Sequence, residues 1–193
     1  MIEVEKKFQP TEKQLQALLR EAEFLGEKEN VDTYYDLPGF VYAKATPEMK
    51  LRKRNGSYEL KIKILKNAKD GTELNEELET DEEILERLGF PKNDNLEKLV
   101  QEKMEILCSI KTKRRKYKLR EFCIDVDETD YGYNMCEIEL GVEEESQIEE
   151  AEKKILDLAT SFGFSLKKCP GKISECLRIT RPEVYKELYG NKI

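Results

Sequence analysis

The 193-residue sequence contains no histidine and no tryptophan. The lack of histidine excludes serine-type triads, imidazole acid–base catalysis and His-ligated metals together. The five cysteines (Cys108, Cys123, Cys136, Cys169 and Cys176) form no CxxC pair. They read as reduced thiols of a cytoplasmic protein, not as a disulfide framework or a zinc site. No apolar run is long enough to span a bilayer, so no membrane partner is expected. Charge begins at the third residue, which is unlike a secretory leader. A net charge of −7 argues against nucleic acid as a partner.

Apolar residues are also scarce, at 38%, while 39% are charged. That balance suits either a disordered chain or a folded one with an unusually charged interior. The charges sit inside regular patterns, without low-complexity runs, repeats or linker-like stretches, which favours the second. The length fits a single domain spanning residues 1–193, expected to be monomeric.

The patterning is explicit. In "MIEVEKKF", Glu3, Glu5 and Lys7 alternate with Ile2, Val4, Lys6 and Phe8, the period of a strand. "PTEKQLQALLREAEFLG" reads as a helix capped by Thr11 and Gln14, striped by Leu15, Leu18, Leu19, Ala22 and Leu25, and ended by Gly26. "VDTYYDLP" is extended. "MKLRKRNGSYELKIKIL" is a hairpin turning at Asn55-Gly56. One of its faces carries Arg52 and Arg54, then Glu59, Lys61 and Lys63. "ELNEELET" is a strand, followed by a short helix capped by Thr80 and Glu83 and ended by Gly89. "NDNLEKLVQEK" is a helix. "MEILCSIKTKRRKYKLRE" forms one long strand or two. "FCIDVDETDYGYNMCEIEL" is a second hairpin, with Asp125 and Asp127 opposite Ile124 and Val126, and Glu137 and Glu139 opposite Ile138 and Leu140. Tyr131 and Tyr133 read as turn and packing residues. A helix runs from Ser146 to about Phe162 before Gly163. A last helix opens at Pro182.

Several strands therefore share one design, with one face apolar and the other charged. A two-layer fold could leave every charged face in water. A closed antiparallel barrel could instead line its interior with them. Buried charges are tolerated when paired or ligand-bound. Clustered carboxylates without histidine or thiolate favour hard cations such as Mg²⁺ or Mn²⁺. Arginines and lysines favour phosphate oxygens. Acids, cation, polyphosphate and bases together suit phosphoryl transfer.

"IEVEKKF" resembles the ExExK signature of the CYTH superfamily, the triphosphate tunnel metalloenzymes. "DTYYD", "LRKR", "YELK", "KRRKYKL", "IDVD" and "YGYNMCEIE" continue the likeness in order, over nearly the whole chain. Within the superfamily, "DETDYGYNMCEIE" and "TRPEVYKEL" are most similar to thiamine triphosphatases. The resemblance implies an α+β fold, a closed eight-stranded antiparallel barrel with helices packed outside. It implies a thiamine-triphosphatase-like phosphohydrolase acting on acid anhydrides, with Mg²⁺ as cofactor and Mn²⁺ as a substitute. Its partner would be a small-molecule triphosphate, thiamine triphosphate or tripolyphosphate.

By residue, the resemblance gives Glu3, Glu5, Asp125, Glu137 and Glu139 as metal-side acids. Glu77 joins them, although the alternation also admits Glu76 or Glu79. Lys7, Arg52, Arg54, Lys61, Arg114 and Lys172 would bind phosphate. Lys7, Tyr34 and Glu139 are the catalytic candidates, Tyr34 and Lys7 resembling a pair implicated in water activation. Mammalian thiamine triphosphatases carry a tryptophan two residues before the first of these arginines, where this chain has Lys50. Rival activities are inorganic tripolyphosphatase, CYTH-type adenylate cyclase and a non-catalytic polyphosphate-binding module.

Overall fold

The computed structural model describes residues 2–46, 49–64 and 73–190, with backbone only for 63–64 and 73–75. The strands are β1 (Ile2–Phe8), β2 (Glu23–Asp36), β3 (Met49–Arg54), β4 (Ser57–Ile64), β5 (Glu73–Leu78), β6 (Glu105–Leu119), β7 (Phe122–Thr129) and β8 (Asn134–Val142). The helices are α1 (Glu12–Leu19), α2 (Val41–Ala45), α3 (Asp81–Arg87), α4 (Leu96–Lys103), α5 (Ile148–Ser161), α6 (Lys172–Thr180) and α7 (Pro182–Tyr189). The strands are antiparallel and follow the order β1-β5-β4-β3-β2-β6-β7-β8, with β8 paired to β1 along its length. This is the α+β, eight-stranded antiparallel class expected from the sequence. No described helix is long and apolar enough to cross a membrane.

Local chemistry sets several elements. Asn55 and Gly56 both take positive φ (48° and 101°), as a type I′ turn requires, and they join β3 to β4. Thr11 and Gln14 cap α1 reciprocally, Asn95 caps α4, and Pro182 opens α7. α5 starts later than the sequence suggested. A 3₁₀ turn (Glu145–Gln147) precedes it, opened by a capping box of Glu144 with Gln147. β6 is one long strand.

One expectation fails. α1 stops at Leu19, and the chain is already a strand at Glu23. Leu25 is exposed and Gly26 lies within β2, not at a helix end. Phe24 turns onto the Tyr117 ring, 5.2 Å away on the neighbouring strand β6. β6 is the hydrogen-bonded neighbour of β2, which gives these residues backbone partners that an isolated helical turn lacks.

The chain divides into two compact units: residues 1–29, 64–75 and 112–171, and residues 30–63, 76–111 and 172–193. The first has a core of Val4, Phe8, Ile124, Ile138, Ile155 and Leu158, with further apolar neighbours. It is built from the apolar faces of β1, β7 and β8 under α5. The second has a core of Leu51, Leu60, Ile84, Leu85, Leu96 and Val100, where β3 and β4 meet α3 and α4. Covering those faces leaves the alternate residues of the same strands, the charged ones, on the opposite side. Lys6 breaks the rule: it shares the apolar face of Val4 and Phe8 and is buried.

Candidate active site

In the first unit, β1, β7 and β8 lie side by side in register. Glu5 stands opposite Glu139, Lys7 opposite Glu137, and Asp125 opposite Glu137. Cross-strand neighbours on one face are close enough to interact, so this register collects carboxylates. Oxygens of Glu3, Glu5 and Glu139 lie within 4.8 Å of one another, as do those of Asp125, Glu137 and Glu139. Burial pushes the Glu139 carboxyl up to about 9, helped by the charges of Asp125, Glu3 and Glu137 and by a hydrogen bond with Glu3. The acids of this face are thus short of positive charge around Glu139.

The second group of acids has company. Arg114 Nε and Nη2 fork onto Asp127 at 2.6 Å each, Nη2 also donates to Glu137 at 2.6 Å, and Nη1 meets Asp125. Burial works against the Arg114 charge, but Asp127, Glu137 and Asp125 together outweigh it and raise the guanidinium pKa. Lys116 Nζ reaches Asp125 at 2.9 Å. The fully buried Asp125 oxygens are balanced in charge by these cations, but no contact to them has hydrogen-bond geometry. Lys7 Nζ pairs with Glu5.

The second unit gathers the bases. On β3, Arg52 and Arg54 share one face. Arg52 Nε donates to Glu59 at 2.7 Å, and its Nη2 lies 3.5 Å from Glu77. Lys61 is 3.4 Å from the same Glu77 oxygen. Arg54 forks onto Asp32 at 2.6 and 2.8 Å. Burial would raise the Asp32 carboxyl, but Arg54, then Arg52 and Lys172, outweigh it and hold it below the usual carboxylate range. Tyr34 is buried among these charges. Desolvation, then Asp32, push its hydroxyl far above its ordinary value, so it stays protonated.

The fold thus brings together Glu3, Glu5, Lys7, Arg114, Asp125, Glu137 and Glu139 in the first unit. Tyr34, Arg52, Arg54, Lys61 and Lys172 belong to the second. Of the three acids left open, Glu77 turns toward the bases, Glu76 pairs with Arg87 at 3.5 Å, and Glu79 falls just past the end of β5 at Leu78. Glu77 is in neither acid triad. Sequence reasoning missed the partners Asp32, Glu59, Lys116 and Asp127. The signal existed for two of them: Lys116 and Asp127 continue the two-residue period from Arg114 and Asp125. The side chain of Lys63 lies outside the described residues.

The Glu3, Glu5 and Glu139 oxygens fit a hard divalent cation, whose opposing ligands sit about 4 Å apart. Among the described residues, Glu139 has no cationic partner within ion-pair distance, which a bound cation would supply.

Fold and charge distribution define an eight-stranded antiparallel protein whose strands are apolar on one face and densely charged on the other. Residues 1–168 match the CYTH domain, and the chain belongs to that family. It is similar to human thiamine-triphosphatase, at 29% identity over 208 aligned positions covering 97% of this chain and 89% of the human protein. The solved PH1819 protein of Pyrococcus horikoshii OT3 superposes with a TM-score of 0.59 at 22% identity, over 84% of this chain and 91% of that one. HpAC1 of Hippeastrum, described as an adenylyl cyclase with a dominant triphosphatase activity, superposes with a TM-score of 0.56 at 16% identity, over 97% and 96%. At these identities the two structures speak for the fold.

Proposed function

We propose that this protein is a divalent-cation-dependent hydrolase that removes the terminal phosphate of a triphosphate, with thiamine triphosphate as its substrate. The observation that carries the reading is the under-compensated carboxylate group around Glu139 in a chain whose other unit concentrates Arg52, Arg54, Lys61 and Lys172. A triphosphate with its cation needs both kinds of group. The family and the similarity to human thiamine-triphosphatase support it.

Arg52, Arg54, Lys61 and Lys172 bind phosphate oxygens, the guanidinium planes fixed by Glu59 and Asp32 so that little ordering is left for the moment of binding. Glu3, Glu5 and Glu139 hold the cation, with Asp125 and Glu137 beside them. Held there, Mg²⁺ or Mn²⁺ would supply charge neutralisation and polarisation of phosphoryl oxygens. A water attacks the terminal phosphorus, the bond to the bridging oxygen breaks, and the diphosphate leaves as a stable anion that needs no strong general acid. Glu139 would accept the water proton. Lys7 and protonated Tyr34 orient groups by donation.

Inorganic tripolyphosphatase is the second reading. Lys50 favours it, because a lysine beside the binding face attracts phosphate and repels the thiazolium cation. Phosphate release from thiamine triphosphate, tripolyphosphate and ATP, with Mg²⁺ and with EDTA, tests both, with cyclic AMP measured alongside. Release from thiamine triphosphate that requires Mg²⁺ is expected. Full activity in EDTA, or cyclic AMP as the main product, refutes the proposal.

A further inference from the structure

Arg52 meets two carboxylates that are held in different ways. Its Nε donates to Glu59 at 2.7 Å, and its Nη2 donates to the same Glu59 oxygen. Arg52 and Glu59 are in register across β3 and β4, and the Glu59 side chain is 17% exposed. That contact fixes the guanidinium plane. The second carboxylate, Glu77 of β5, is held loosely. Its Oε1 lies 3.5 Å from Arg52 Nη2 and 3.4 Å from Lys61 Nζ, longer than the roughly 2.7–2.9 Å of a charge-assisted hydrogen bond. Its side chain is 35% exposed. One loosely held oxygen therefore stands between two bases, at nearly equal distance from each.

A phosphate oxygen that uses Arg52 and Lys61 together needs that same position, because it is where both donors are met at once. Glu77 also lies in neither carboxylate triad, so its geometry ties it to the bases and not to a cation. Its charge acts on a ligand twice. An anion must first push the carboxylate aside. Once displaced, the carboxylate stays on β5 near the bases, where it repels a polyanion and attracts a cationic group. Both effects have the same sign. A bare polyphosphate is penalised more than a triphosphate whose organic end is a cation.

We propose that Glu77 is a specificity-determining residue of the phosphate-binding face, a displaceable counter-ion of Arg52 and Lys61 that favours thiamine triphosphate over tripolyphosphate. The inference rests on the phosphate role of Arg52 and Lys61 proposed above.

The test is Glu77→Gln in the full chain, which keeps the side chain's shape and removes its charge. Calorimetry in EDTA reads Kd for the bis-methylene analogue of tripolyphosphate, whose P–C–P links resist hydrolysis. Glu77→Gln should lower this Kd about two- to fivefold, the range of a partly exposed ion pair. Glu76→Gln is the control. It removes the same charge one residue away, from a carboxylate that pairs with Arg87 at 3.5 Å, and should shift Kd less than about 1.5-fold. With Mg²⁺, Glu77→Gln should lower KM for tripolyphosphate more than for thiamine triphosphate. An unchanged or weaker Kd, an equal gain in both variants, or equal KM shifts for both substrates overturns the inference. A rise in the Mg²⁺ concentration needed for half-maximal activity also overturns it, since that marks a lost cation ligand. A lower melting temperature with unchanged Kd marks a structural role and overturns it as well. If neither substrate is cleaved, the hydrolase reading fails and the calorimetry alone decides the inference. If neither the parent nor Glu77→Gln binds the analogue, both fall.

Discussion

Arg114→Gln is the substitution from which the structure predicts most. The guanidinium answers three carboxylates, of which Asp125 and Asp127 are fully buried and Glu137 nearly so, and its own side chain is only 12% exposed. Removing one partner of a buried ion pair costs about 3–5 kcal/mol, because the charge left behind has no compensation. Lys116 remains on Asp125 at 2.9 Å, so the lower part of that range applies, about 3–4 kcal/mol. In a chain of this size each kcal/mol moves the melting temperature by roughly 2–4 °C, which gives a fall of roughly 6–16 °C. Melting followed by far-UV circular dichroism in EDTA measures this. A melting temperature within about 2 °C of the parent refutes the claim that Arg114 is the counter-ion of this acid group.

Two further outcomes follow from the same geometry. The Glu139 carboxyl is raised to about 9, above its unfolded value of about 4.3. Its protonated form therefore favours folding below that value, and the contribution is lost as pH rises toward 9. Metal-free parent protein should lose melting temperature across that window, Glu139→Gln should flatten the loss, and identical profiles would refute the assignment. Lys50 shares the Arg52 and Arg54 face of β3 and borders a pocket with Tyr34 and Ile173. Lys50→Trp should raise kcat/KM for thiamine triphosphate by up to about tenfold, from an aromatic contact of ~0.5–1.5 kcal/mol, and leave tripolyphosphate nearly unchanged. Equal shifts for both substrates would remove position 50 from the organic-group site.

The legible parts of this protein were those set by neighbours in sequence. Asn55-Gly56 specifies its turn because only a few residue types accept both positive φ values. Thr11 and Gln14 specify the start of α1 because cap and backbone donor lie three residues apart. The alternation in β1, β7 and β8 shows which side chains share a face, since the strand period is two. The end of α1 was not legible. Ala22 and Leu25 continue a helical stripe as well as they fit a strand, and the choice fell to the edge of β6 and the ring of Tyr117.

The candidate site divides along the same line. The sequence determined which acids and bases stand on charged faces: Glu3 and Glu5 on β1, Arg52 and Arg54 on β3, Asp125 and Asp127 on β7, Glu137 and Glu139 on β8. Which charges meet was decided by the register between strands. That register places Arg114 against Asp127 and Glu137, turns Glu77 toward Lys61, and leaves Glu139 among carboxylates. Pairing across a sheet depends on the relative slide of its strands, and the side-chain pattern within one strand carries that information only as a choice of face. Lys6 shows the limit most sharply: its place in the alternation assigns it to the buried face of Val4 and Phe8, and only tertiary packing gave a charged side chain room there.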